Sequence, residues 1–367
     1  MPAPTVPAPA ARAEPAPAFS VGGVSIAAGS RATIELPLPG LYTRAAVTMP
    51  VRVVHGRRPG ACLLVSAAIH GDEINGVEII HRLLRLRTLS RLRGTLLAVP
   101  VVNVYGFLNH SRYLPDRRDL NRTFPGSDGG SLAARLARLF LEQVLAQAGY
   151  CLDLHTASAH RTNLPQIRAC LEAPEVESLA RAFGAPVILN ADLRDGSLRA
   201  AAQERGIPML VYEGGEALRF DEMAIRAGLS GVVAVMRALG MLPGLRRRGK
   251  PPAPLVARSS TWVRAPQSGI FRCRRPLGSQ VQAGELLGTI GDPFGDQETT
   301  VTSPLAGIII GRTRLPLVSQ GDALLHVARF RDPAVAEERV GAFREALAEA
   351  DELGHPLPEL PADPEQD

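Results

Sequence analysis

Two kinds of apolar segment alternate along this chain, and that alternation limits its fold more than any other feature. ACLLVSAAI (61–69) and GTLLAVPVVN (94–103) are unbroken apolar runs with polar flanks, as in strands buried on both faces. INGVEIIHRLLRLR (74–87) and SLAARLARLFLEQVLAQ (131–147) instead repeat apolar residues at helical spacing, with Ser131 placed to cap the second. YCLDLHT (150–156) and IPMLVYEGG (207–215) continue the strand series, and residues 20–56 read as short strands separated by Gly and Pro. The pattern predicts an α/β fold: a mixed, mostly parallel sheet with helices on both faces. Such sheets build their sites where strands end at the carboxyl edge.

The chain divides by composition. Residues 1–19 are a Pro/Ala tail predicted to be disordered, without the apolar core of a signal peptide. Residues 20–245 hold the α/β pattern, and 246–256, opening RRRGKPPAP, read as a linker. Residues 257–330 are short β segments with a loose repeat: APQSGIF (265–271) and SPLAGIII (303–310) share a Pro-x-x-Gly-Ile core 38 positions apart. This resembles the two halves of a small β-sandwich of the biotinyl/lipoyl carrier type. Those carriers need a lysine, and Lys250 is the last and only one, so a swinging arm is excluded and a capping or entrance-shaping role is expected. Residues 331–367 read as a helix (332–351) followed by an acidic tail.

A net charge of +5 raises nucleic-acid binding, but the arginines are scattered apart from Arg246, Arg247 and Arg248 in the linker, so no nucleic-acid partner is expected. No apolar stretch reaches the roughly 18 residues of a membrane span. The four cysteines show no CxxC spacing, and cytoplasmic residence is expected.

Three predicted strand ends carry chemistry. IHGDE places His70 and Glu73 after one strand, and DLHT places His155 at another, 82 positions after Glu73. Alone, a His-x-x-Glu pair or a strand-end His is usually structural. Together, two imidazoles and a carboxylate leave one position of a tetrahedral zinc ion open for water. YEGG places Glu213 at a third strand end, suited to a general base beside that water, with two glycines behind it for a sharp turn. The loop RYLPDRRDLNRTFPG (112–126) gathers Arg112, Arg118, Asn121 and Arg122; it reads either as a solvated basic loop or as a carboxylate-binding element. Asp153 can orient the His155 imidazole or cap a turn. His160, His55, His81, His110, His326 and His355 lack supporting neighbours and read as surface or structural.

IHGDE, DLNRTFPG, DLHT and the later Glu-Gly-Gly together resemble the succinylglutamate desuccinylase/aspartoacylase family, a branch of the zinc carboxypeptidase-like hydrolases, over roughly residues 45–330. The resemblance implies one zinc ion on His70, Glu73 and His155, with Glu213 as the proton-transferring base. It implies Asn121 and Arg122 as holders of the substrate carboxylate. Arg112 matches the arginine that polarises the scissile carbonyl, with Arg118 as competitor. The implied activity is removal of an acyl group from an N-acyl amino acid or a related small amide. Carboxypeptidase-like cleavage of a short peptide is the alternative, and a non-catalytic ligand-binding protein is a third reading. A serine esterase is disfavoured, because no G-x-S-x-G elbow occurs. Arg194 and Arg199 lie in a segment (189–206) that can form a pocket wall. The substrate is expected to be a small acylated carboxylate, and a homo-oligomer is left open.

Overall fold

The structure, a computed structural model, describes residues 14–40, 45–244, 254–257 and 259–352. Most of the predicted tail, the arginine run and Lys250 of the linker, and the acidic end with His355 lie outside the described residues. One stretch of the predicted disordered tail is corrected. Around residue 16 the backbone is tied down, with the Ala16 N–H donating to Arg57 O and His55 Nε2 lying 2.9 Å from Pro17 O. These backbone contacts override the low-complexity composition of the stretch.

Four parallel strands form the centre of a 13-stranded mixed sheet, in the order Met209–Glu216, Tyr150–Ala157, Arg58–Ala67 and Arg93–Val99. Thr48–His55 and Arg31–Pro37 extend it antiparallel on one flank. On the other flank run Arg161–Ala169, Gly307–Thr313, Ala323–Arg329 and Ser259–Arg264, each antiparallel to its neighbour. Successive side chains of a strand face opposite sides. Leu63, Val65, Leu152 and Leu154 therefore meet the helices Asn75–Leu84, Pro174–Phe183 and Glu222–Ala238, while Leu64, Leu97 and Cys151 meet Leu132–Gln143 and Leu198–Glu204. Residues such as Leu63 and Leu64 are fully buried, each contributing about 1.5–3 kcal/mol.

The helix Asn75–Leu84 shows how the pattern works locally. Ile79, Ile80 and Leu83 are buried, while Glu78 and Arg82 pair on the outer face and Arg82 reaches on to Glu222. The predicted run 94–103 ends as a strand at Val99, because Pro100 has no N–H for the ladder. Ser131 caps the helix Leu132–Gln143, its side chain accepting from the Ala134 N–H. The predicted span to 147 finishes instead as a short 3₁₀ turn, Leu145–Gln147.

The C-terminal β region is two-layered. A four-stranded antiparallel sheet (Glu298–Thr302, Leu286–Gly291, Gly269–Cys273, Leu317–Val318) shares a core of Phe271, Leu287, Ile290, Ile309 and Leu325 with the extended flank of the large sheet. Gly269 and Gly307 of the sequence repeat open one strand in each layer. The region is therefore joined to the α/β part through the main sheet itself: Asn163 pairs with Gly311 and Arg161 with Thr313. The helix Pro333–Glu352 follows, and among the described residues no helix is long and apolar enough to cross a membrane.

Candidate active site

His70 and Glu73 lie in the turn after the strand Arg58–Ala67, where Ala68 takes a left-handed φ of 51°, a conformation costing a non-glycine residue about 1–3 kcal/mol. His155 lies in the adjacent strand Tyr150–Ala157. All three side chains are buried, and one potential ligand atom from each lies within 4.8 Å of the other two. Glu73 is the hub: Oε1 is 2.7 Å from His70 Nδ1, Oε2 is 2.8 Å from His155 Nδ1, and Oε2 also accepts from the Thr156 N–H.

Each imidazole has its other nitrogen on a second carboxylate. His70 Nε2 is 3.1 Å from Asp119 Oδ1, and His155 Nε2 is 2.6 Å from Asp153 Oδ2, which Ser66 steadies from the far side. Asp153 thus takes the first of the two roles open to it. This is the carboxylate–histidine arrangement that fixes a ligand imidazole and makes it more basic. Burial favours protonation of Glu73, yet His70 and His155 outweigh it and hold the carboxyl well below the usual range. For His155, burial opposes the charged form, and Asp153 and Glu73 reverse that and raise it well above the ordinary value. Two buried imidazole nitrogens facing a buried carboxylate are a donor set that suits a small divalent cation.

The loop 112–126 reaches the same place. Arg112 sits 3.3 Å from Glu73 Oε1 and bridges to Asp119 Oδ2 at 2.9 Å. Asp119, given no role at first, therefore joins a histidine of the buried group to the nearest arginine. Its position inside DLNR was the available signal. Arg118 is 62% exposed and does not line the cleft, so of the two competing arginines only Arg112 stands at the site. Asn121 lines the cleft, but its Oδ1 accepts from the Leu198 N–H and pins this loop to the start of the helix Leu198–Glu204. Arg122 lines it too, with NH1 on its neighbour's carbonyl, Asn121 O.

Glu213 pairs across the sheet with His155, and Gly215 behind it turns at φ 77°. Asn75, fully buried, holds that turn by donating to Gly214 O and accepting from the Asp221 N–H. Glu213 Oε2 accepts from Asn163 Nδ2 at 2.6 Å, and Oε1 lies 2.9 Å from Arg168 Nε. The second contact is an ion pair whose N–H is not aimed along a hydrogen bond. Neither Asn163 nor Arg168 was reached from the sequence, because the strand Arg161–Ala169 contains Pro165 and lacks clean alternation.

His70, Glu73, Asp153, His155, Asn163 and Glu213 line one cleft of ≈ 710 Å³. Six arginines border it: Arg112, Arg122, Arg161, Arg168, Arg194 and Arg199. Burial lowers Arg122, and Arg194 and Arg112 press it in the same direction. Burial, Arg168 and Arg194 do the same to Arg199. Arginine does not lose its proton in this range, so the crowding amounts to a field that an anion relieves. Trp262, Ser259 and Ser260 of the C-terminal β region close one wall. Trp262 stacks on His326 at 4.5 Å, with the Arg161 guanidinium 5.4 Å from its ring.

Residues 59–239 match the model of the succinylglutamate desuccinylase/aspartoacylase catalytic domain. N-alpha-acetyl-L-2,4-diaminobutyric acid deacetylase of Halomonas elongata is 26% identical over 303 residues, spanning 77% of this chain and 86% of that protein. A succinylglutamate desuccinylase/aspartoacylase structure from Rhodobacter sphaeroides superposes with a TM-score of 0.74 at 25% identity, over 82% of this chain and 96% of that one. The product-bound ectoine utilization protein EutE (DoeB) from Ruegeria pomeroyi gives 0.74 and 25%, over 81% and 95%. The mixed sheet, its helices and the added C-terminal strands are those of this fold, and residues 59–239 carry the catalytic domain of the succinylglutamate desuccinylase/aspartoacylase family.

Proposed function

We propose that the protein is a zinc-dependent amidohydrolase that removes the acyl group from an N-acyl amino acid or a related small amide. The observation that carries this reading is the convergence of two buried imidazoles on Glu73, each backed by a carboxylate, in a cleft that also holds Glu213 and six arginines. His70, Glu73 and His155 are the ligands, and two nitrogens with one carboxylate suit zinc with a position left open. Bound there, the ion supplies Lewis acidity to the amide carbonyl and lowers the pKa of a water. Glu213 takes a proton from the attacking water as the water oxygen bonds to the acyl carbon. It passes the proton to the amine nitrogen as the C–N bond breaks, leaving a carboxylic acid and a free amine. Arg112 donates to the oxyanion, and Asp119 holds its guanidinium for that task. Arg122 binds the substrate carboxylate, with Asn121 fixing the loop that presents it.

The names of the relatives make N-acetylated and N-succinylated amino acids the first substrates to try, with N-acetyl-2,4-diaminobutyrate among them. Cytoplasmic residence belongs to the same reading, and four unpaired cysteines accord with it. The test is metal content together with turnover of a panel of N-acyl amino acids and dipeptides. Substrate binding can be followed by the fluorescence of Trp262, the only tryptophan and a lining residue. Stoichiometric zinc, turnover of acyl amino acids and a raised KM for Arg122→Ala are expected. Preference for dipeptides turns the assignment towards peptide cleavage, and metal-free native protein overturns it.

A further inference from the structure

Asn163 owes its place beside Glu213 to two features of the sheet. The first is register. Glu213 pairs with Gln166, but Gly215, two residues on, pairs with Asn163, three residues away. Residues three apart in a regular strand face opposite sides, so the extra residue of this bulge brings Asn163 to the face that Gln166 and Glu213 share. The buried amide then donates to Glu213 Oε2 at 2.6 Å.

The second feature is Gly311. It pairs with Asn163 on one side and His326 on the other, in the row that ends at Trp262. A Cβ on Gly311 would lie 2.8 Å from Asn163 Oδ1 and 3.3 Å from His326 Cβ. Its φ is not left-handed, so glycine supplies space here rather than conformation. Any larger residue presses on the amide that holds Glu213.

We propose that Asn163 is a positioning residue for Glu213, and that Gly311, from the C-terminal β region, is what seats it. The C-terminal strands then form part of the proton-transfer apparatus as well as a wall of the cleft. The inference rests on Glu213 being the base. A carboxylate must lie within hydrogen-bond reach of the proton it takes, and a misplacement of about 1 Å can cost about 100-fold. Asn163 fixes one oxygen by a directed hydrogen bond, which the poorly aimed Arg168 contact does not replace.

The test uses the full-length, metal-loaded enzyme. Asn163→Ala and Gly311→Ala should each lower kcat by about 10- to 100-fold, with KM within about twofold and metal content unchanged. The double variant should be no worse than Asn163→Ala by more than about twofold, because both changes remove one support. Asn163→Asp preserves shape but removes the donor, and should be at least as impaired as Asn163→Ala. If Glu213→Gln retains full turnover, the base assignment fails and this inference with it. If Glu213→Gln is inactive while Asn163→Asp keeps parental kcat, or the two alanine changes multiply, Glu213 stands and the positioning role is overturned. Should Gly311→Ala not fold, Asn163→Asp decides alone.

Discussion

Glu73 and Glu213 both belong to carboxyl ends of the parallel sheet, yet their surroundings differ in kind. The Glu73 side chain is 2% exposed and lies between two imidazoles and a backbone N–H. Glu213 is 18% exposed, faces the cleft, and meets an amide and a guanidinium. The first is enclosed by groups that can themselves bind a cation, and the second by donors with open volume beside it. One side-chain chemistry thereby meets two environments, set by what encloses it rather than by the carboxylate itself.

The largest effect is expected where that difference is erased at Glu73. Glu73→Gln should lose both metal and turnover, the latter to background; a metal-replete, active variant by elemental analysis and rate assay would break the comparison. Glu213→Gln should instead keep the metal while kcat drops by about 10²–10⁴-fold. Loss of metal from that variant would mean that the two carboxylates are not separate in function. Asp153→Asn should weaken metal affinity by about 10–100-fold, as read by competition with a chelator, because His155 loses its partner; undiminished affinity would remove Asp153 from the support of the centre.

The smallest effect probes the cationic Glu213 side. Burial, aided by Arg168, lowers His326 from about 6.5 to about 3. The unfolded chain takes up a proton first, so stability declines as pH falls from about 6.5 towards about 3, by at most about 1.4 kcal/mol per pH unit. Urea unfolding at pH 7 and pH 5 should show a smaller decline for His326→Phe. An identical decline would indicate that His326 is protonated in the fold.

The buried group of His70, Glu73 and His155 was legible in the sequence because its residues are local signals: His-x-x-Glu in one turn, and a histidine closing an apolar run. Glu213 was legible for the same reason. Asp119 was half visible, inside a quoted motif but without a role, since its two partners are 49 and 7 positions away. Asn163, Arg168 and Trp262 were not legible. Their positions depend on a bulge at Leu164–Pro165 and on pairing between segments that are distant in the chain. The parallel core, with strands buried on both faces, was the easiest part of the fold to read. The antiparallel flank was the hardest, because nothing in a short segment records which strand it will adjoin.

The hydrogen-bonded seam between Arg161–Thr162–Asn163 and Gly311–Arg312–Thr313 has a practical consequence. A chain cut in the linker would leave the strand Arg161–Ala169 with unsatisfied peptide groups where Gly307–Thr313 now lies, an edge ready to recruit another copy. The matched catalytic segment, residues 59–239, therefore does not mark a place to divide the protein. Such a truncation should self-associate, and restoring the missing strands from outside should relieve it.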